Sequence, residues 1–138
     1  MKDYITYAVL SAFFASLIPI FGKLGLKNVD STLATAVRAV IMAVFLVGVA
    51  LLRGSTNVGE IDGRALLLIV LSGLAGALSW LFYFMAIKNG RVPAVIAIDK
   101  ASVALSIFLA WLVLGDKMDL KTALGVLLIV IGAILVSL

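Results

Sequence analysis

The sequence contains no cysteine and no histidine among its 138 residues. The absence of cysteine excludes disulfides, thiolate metal sites and thiol catalysis, and the absence of histidine excludes imidazole proton relays. Charged residues are also scarce, at 13% of the chain, and no phosphate-binding loop is present. Titratable chemistry is therefore limited to a few carboxylates, lysines and tyrosines. We expect no metal site, no cofactor and no enzymatic activity.

Hydrophobic residues, in contrast, make up 64% of the chain. A soluble domain of this length cannot hide so much apolar surface, so the lipid bilayer is its natural solvent. The net charge is only +4, and the basic residues cluster at the ends of apolar runs. This pattern predicts contact with lipid headgroups and no binding of nucleic acid.

Five apolar runs are long enough to cross a membrane as helices. Because backbone polar groups in lipid must be satisfied internally, we predict an all-α membrane protein, a five-transmembrane-helix bundle forming a single domain over residues 1–138. The predicted helices cover about 4–22, 31–52, 64–87, 92–114 and 119–138. Asp30 or Ser31 is the expected N-cap of the second helix, and Asp62 and Asp119 those of the third and fifth. The first run is too long for a signal peptide, and four more follow it.

The basic residues outside the helices are almost evenly divided between the two faces of the membrane. One face has five (Lys2, Arg53, Arg64, Lys117, Lys121) and the other has four (Lys23, Lys27, Lys88, Arg91). The positive-inside rule therefore gives no firm orientation. Either the rule is weak here, or copies insert both ways and pair as antiparallel homodimers, which would create the inverted symmetry of many transporters.

Three charged residues, Arg38, Asp99 and Lys100, lie inside predicted helices. A charge at such depth costs at least about 2.5–3.5 kcal/mol, so it normally faces a partner, a cavity or a permeant. Arg38 and Asp99 lie about seven residues into their helices from the same face, which permits an ion pair and leaves Lys100 as the surplus charge. Two interpretations remain open: a static pair that fixes helix packing, and a site that binds a substrate or a proton.

Small and polar side chains accompany these charges. Ser102 and Ser106 share a helix face with Asp99, and Ser79 and Tyr83 lie on a similar stripe of the third helix, beside Trp80. Such stripes line a solute path or allow close helix packing, and spacing alone does not decide between them.

Gly125 and Gly132 lie one heptad apart on the last helix. Small residues at this spacing allow close approach of another helix, either from the same chain or from a second copy.

The residues resemble the EamA-type repeat of the drug/metabolite transporter superfamily, and the whole chain resembles its short five-helix bacterial/archaeal transporter family. The resemblance lies in Pro19–Lys27, Leu33–Arg38, Trp80–Ala86, Ile98–Val103, Leu109–Lys117 and Leu124–Gly132. It implies a bundle equivalent to one EamA-type repeat. Larger members resemble two fused inverted units, so a single unit is expected to pair with itself.

The segment Gly125–Gly132 also resembles the dimerising helix of the small multidrug resistance proteins. Helix 1 lacks the acidic residue of those proteins, and Asp99-Lys100-Ala101 stands where many EamA-type repeats have a proline.

We therefore expect a secondary transporter or exporter of small organic solutes in the cytoplasmic (inner) membrane of a prokaryote, working by alternating access as a homodimer among lipids. Asp99 is the expected proton-linked or cation-linked group, with Arg38 setting its charge state. Lys100 would attract anionic groups, and Trp80 and Tyr83 would contact the solute. The alternatives are a lipid-carrier flippase and a non-transporting structural subunit with a static Arg38–Asp99 pair.

Overall fold

A computed structural model describes residues 3–138, which form helices and turns without any β-strand. Within these residues, five helical segments have the length and apolar composition needed to cross a membrane. The predicted all-α membrane class is therefore confirmed.

The helices follow one another with short connections, except for the loop after the second, which includes one turn of 3₁₀-helix at Val58–Glu60. Their bounds are α1, Asp3–Gly25; α2, Ser31–Leu52; α3, Gly63–Asn89; α4, Val92–Lys100; α5, Ser102–Leu109; and α6, Leu120–Ser137. Pro19 lies inside α1 and is buried.

Aspartate side chains begin three of these helices. The carboxylate of Asp30 accepts a hydrogen bond from the Leu33 N–H at 2.9 Å, which makes Asp30 and not Ser31 the N-cap of α2. Asp62 accepts from the Ala65 N–H at 2.7 Å, and Asp119 accepts from the Thr122 N–H at 2.8 Å. Each bond satisfies a backbone donor that has no partner within its helix.

The fourth span, Val92–Leu114, differs from the expected continuous helix because it consists of three pieces. At Ala101 the backbone tightens: the Ala101 N–H is shared between the Ala97 carbonyl at 3.2 Å and the Ile98 carbonyl at 3.1 Å, and the Ala104 N–H donates to the Ala101 carbonyl at 3.1 Å. The bonds to Ile98 and Ala101 are of the 3₁₀ type, whereas the bond to Ala97 is α-helical. After α5 the chain widens into a π-helical turn, Ala110–Leu114, which ends at Gly115 in the left-handed conformation with φ of 72°.

The described residues divide into two compact units. In the first, residues 3–23 and 89–138, α4 and α5 pack against α6, and the small side chains of Ala97 and Ala133 are buried. In the second, residues 24–88, Leu26, Phe84 and Ile87 are buried. The assignment of residues 1–138 to a single domain stays a prediction.

Basic side chains at the ends of the spans donate to backbone carbonyls within each unit. Lys88 Nζ lies 2.6 Å from the Val29 oxygen, and Lys23 Nζ lies 3.2 Å from the Gly90 oxygen. The Arg91 guanidinium lies 3.4 Å from the Val136 oxygen and 3.5 Å from the Ser137 oxygen, at the carboxyl end of α6. A cation at this end of a helix is favourable because the carbonyls there are unpaired.

Candidate functional site

Arg38 lies in α2, and its guanidinium carbon is 3.7 Å from the centre of the Trp80 ring of α3. The same carbon is 5.4 Å from the centre of the Phe84 ring. These distances define a cation–π contact, which partly compensates a cation for its removal from water. The structure thus brings together Arg38 and Trp80, both predicted site residues, within this unit.

The aromatic side chains of α3 also contact one another. Tyr83 lies edge-on to Trp80 with ring centres 5.5 Å apart, and Phe84 lies 5.9 Å from Trp80 and 6.1 Å from Tyr83. We call Arg38, Trp80, Tyr83 and Phe84 the aromatic cluster. Sequence reasoning omitted Phe84, although its position four residues after Trp80 places both on one helix face. Ser79, also a predicted site residue, is exposed beside the cluster in sequence.

Asp99 and Lys100 form an ion pair within the first unit. Lys100 Nζ lies 3.0 Å from Asp99 Oδ2, with the lysine side chain 59% exposed and the aspartate 32% exposed. Sequence reasoning left Lys100 as the surplus charge, whereas in the structure Lys100 has Asp99 as a partner within its own unit. Although adjacent residues point about 100° apart on a helix, the long, flexible lysine stem lets its ammonium group reach back to the carboxylate.

The two serines predicted to line a path with Asp99 lie beyond the interruption at Ala101. Ser102 begins α5, Ser106 follows one turn later, and both are exposed. Residues i and i+3 are eclipsed in a 3₁₀ turn, so a tight turn at Ala101 favours placing Ser102 on the face of Asp99. The interrupted backbone and the ion pair therefore occur within four consecutive residues.

An open groove of about 550 Å³ runs between α4 and α6, with Ile20 of α1 at its side. Its lining is apolar except for Lys100, and includes Pro93, Ala97, Gly132 and Ala133. A methyl group added at either Gly125 or Gly132 would have no neighbouring atom within 4 Å. Within the unit of residues 3–23 and 89–138, the packing partners of α6 therefore make no close contact at these two glycines.

Arg38 and Asp99 belong to different compact units. Their predicted ion pair stays a prediction. Within its own unit each has another partner: the indole of Trp80 for Arg38, and the ammonium group of Lys100 for Asp99.

Comparison with known proteins shows the family of the chain. Residues 3–138 match the EamA-like transporter family. The chain belongs to the EamA-like transporter family. Members of this family are membrane transporters, so the five apolar helices are transmembrane helices of a multi-pass membrane protein. Membership points to a transporter rather than an enzyme.

A relative that aligns with nearly the whole of this EamA-like protein is also named as a transporter. A protein of Sinorhizobium sp. named "Uncharacterized transporter in cobO 3'region" is 38% identical over 132 residues, which are 95% of this chain and 94% of that protein. No solved structure matches the chain.

Proposed function

We propose that this EamA-like protein is a secondary transporter or exporter of small organic solutes, working by alternating access in the cytoplasmic membrane of a prokaryote. The observation that carries the proposal is the Asp99–Lys100 ion pair, 3.0 Å long, inside the apolar span Val92–Leu114. Ionisable residues inside membrane spans mark the paths of substrates and ions in many transporters.

Asp99 is the group that couples transport to a proton or another cation. Protonation of its carboxylate would abolish the attraction to Lys100, and a bound cation would compete with Lys100 for the same oxygen atoms. The tight turn at Ala101 lets a change in the charge of Asp99 move the helix, because a mid-helix 3₁₀ turn often marks a hinge. The charge state of Asp99 would thus bias the position of α5 relative to α4.

The active form is a homodimer, with antiparallel pairing favoured. The nearly even division of basic residues between the membrane faces supports insertion in both orientations. The open surfaces at Gly125 and Gly132 leave space for the close approach of a helix from a second copy. Two inverted copies would supply the symmetry that many transporters have within one chain.

We predict that Asp99→Asn abolishes proton-driven solute uptake in proteoliposomes. Asparagine has nearly the same shape as aspartate but cannot ionise, so the proton-binding site is removed while packing is kept. The measurement is uptake or efflux driven by an imposed pH gradient, with a mixture of small organic solutes screened first on the unmodified protein.

Asp116→Asn is the matched control for Asp99→Asn, because Asp116 lies in the connection between the π-helical turn and α6. Its transport should equal that of the unmodified protein. Retained pH-driven transport by a folded Asp99→Asn protein would refute the coupling role and favour a static ion pair.

A second candidate, a lipid-carrier flippase, is favoured by the groove between α4 and α6. An apolar groove with Lys100 as its charged lining residue suits an acyl or isoprenoid chain attached to a phosphate. Scrambling of a fluorescent phospholipid between vesicle leaflets, in the absence of water-soluble solute uptake, would support this candidate over the first.

A further inference from the structure

The aromatic cluster contains a cation whose hydrogen-bonding edges are not used by its own unit. The Trp80 ring covers one face of the Arg38 guanidinium at 3.7 Å. A guanidinium carries its five N–H donors in the plane of the group, so a stacked ring occupies its face and leaves the donors available. No hydrogen-bond acceptor within residues 24–88 is bound to these donors.

The position of Arg38 makes this arrangement costly without a further partner. Arg38 lies about seven residues inside the span Ser31–Leu52, or roughly 10 Å along the helix axis. Cation–π contact supplies about 0.5–2 kcal/mol, which is less than the cost of at least about 2.5–3.5 kcal/mol for arginine within the membrane. An acceptor of hydrogen bonds is needed to complete the site.

The other two intramembrane charges, Asp99 and Lys100, bear on which group can serve as the acceptor for Arg38. Asp99 is the carboxylate that sequence reasoning assigned to Arg38, but its Oδ2 atom lies 3.0 Å from the ammonium group of Lys100. That pair is neutral as a unit. Of the three charges inside the spans, the charge of Arg38 is therefore the one without an acidic partner within its own unit, residues 24–88.

We propose that Arg38, stacked on Trp80, binds the carboxylate or phosphate group of an organic anion carried by the protein. This inference rests on the proposed transport function and names its substrate class. Carboxylate and phosphate groups present two oxygen atoms at the spacing of the guanidinium fork and accept paired, charge-assisted hydrogen bonds. The ring of Tyr83, which is partly exposed beside Trp80, suits an apolar or aromatic body on the same molecule.

The chain offers its own reporter for this site. It has two tryptophans, Trp80 and Trp111, so Trp111→Phe leaves Trp80 as the single indole, directly against Arg38. Trp80 fluorescence of this protein, purified in uncharged detergent, is titrated with benzoate, phenyl phosphate and benzamide. Benzamide has the ring and the planar head of benzoate but no charge.

We expect a saturable change of Trp80 emission with benzoate or phenyl phosphate, at a concentration at least about tenfold lower than that needed with benzamide. Arg38→Lys keeps the positive charge but loses the fork and the stacked plane, and should weaken anion binding by about ten- to a hundredfold. Arg53→Lys is the matched control. Arg53 follows the last residue of α2, away from Trp80, and this variant should bind benzoate as the parent does.

Three results would overturn the proposal. Equal binding of benzoate and benzamide would show that the charge is not recognised. Equal binding of benzoate by the parent and a folded Arg38→Lys protein, with an unchanged midpoint of thermal unfolding, would remove Arg38 from the site. A response to nanodiscs containing phosphatidylglycerol, but to none of the soluble anions, would identify the anion as a lipid headgroup and not a transported solute.

The result is separable from that of the Asp99→Asn experiment. Binding is measured in detergent and requires no transport, whereas the coupling test requires a membrane gradient. Failure of anion binding with intact pH-driven uptake would reject the substrate class alone. Anion binding without any uptake would reject the transport proposal.

Discussion

Asp99 and Asp119 are both aspartates of apolar spans, but one lies within a span and the other precedes one. Asp99 lies inside a span and is bound to a lysine ammonium group, whereas Asp119 lies at the start of α6 and is bound to Thr122. Hydrogen bonds from the Thr122 side chain and from its backbone N–H lower the pKa of Asp119 below its ordinary value. The carboxylate of Asp119 therefore has a structural role outside the membrane.

The lowered pKa of Asp119 makes its capping contribution dependent on pH. Because the folded protein holds the ionised form more tightly than the unfolded chain does, the contribution is complete above the ordinary aspartate pKa of about 3.9. It is lost as the pH falls through the lowered value. We predict that the thermal unfolding midpoints of the unmodified protein and of Asp119→Asn converge as the pH is lowered through this range.

Asp116→Asn is a useful comparison for this measurement, since it removes a carboxylate three residues earlier without touching the cap. Its unfolding midpoint should run parallel to that of the unmodified protein. A constant difference between Asp119→Asn and the unmodified protein at every pH would contradict the assigned origin of the effect.

Residue by residue, the sequence predicted which side chains are unusual more reliably than which atoms they touch. Arg38 and Asp99 stand out because charges are expensive in apolar runs, and that cost depends on position alone. The contact of Arg38 with Trp80, and the return of Lys100 to Asp99, depend on side-chain rotamers and on the approach of neighbouring helices. Those features are not encoded in linear spacing.

The helices begin where short polar side chains can bind exposed backbone donors. Sequence reasoning left Asp30 and Ser31 as alternatives for α2, and the hydrogen bond to the Leu33 N–H selects Asp30. Ser31 lies inside the helix, where its carbonyl accepts a hydrogen bond from the Thr35 hydroxyl at 2.7 Å. Two neighbouring polar residues thus have different tasks.

We predict that Asp30→Ala lowers the free energy of unfolding by about 1 kcal/mol, because alanine cannot accept the Leu33 hydrogen bond. Asp30→Asn should retain most of the stability, since an asparagine oxygen is an equally good cap. The measurement is reversible unfolding in mixed micelles. Equal losses from both substitutions would instead point to the charge at the helix start.

The interruption of the fourth span is the element that sequence reasoning missed. Proline and glycine are the usual signals for such breaks, and neither occurs between Ala94 and Leu114. Without either residue the stretch is predicted to be a continuous helix, and its length as a span is as expected. Both α4 and α5 pack against α6, and a single sequence does not reveal how such packing affects the backbone between them.

For the whole molecule, the most telling property is how much apolar surface a single chain leaves uncovered. Side chains such as Phe45 in α2 and Leu128 in α6 are each 68% exposed. Lipid tails cover such surfaces without cost, and a second copy can cover part of them. Because the two membrane faces have nearly equal numbers of basic residues, the positive-inside rule places little restriction on the orientation of that copy.

The absence of cysteine allows a direct test of orientation, because one introduced thiol is the only site that a maleimide can label. Ser55→Cys and Asn28→Cys place that thiol in loops at opposite ends of α2. In intact cells, we predict that a membrane-impermeant maleimide labels about half of each variant, because both orientations coexist. Complete labelling of one variant and none of the other would establish a single orientation.

The two irregular turns of the fourth span have opposite effects on its winding. The tight turn at Ala101 advances the chain by more than the usual angle per residue, and the wide turn at Ala110–Leu114 advances it by less. The segment between them is α5. Its side chains are rotated about the axis of the span relative to a continuous α-helix, whereas the opposite deviations partly cancel for the residues beyond the two turns. Opposite adjustments of these two turns would therefore rotate Ser102 and Ser106 about the axis of the span while leaving its two ends nearly in place.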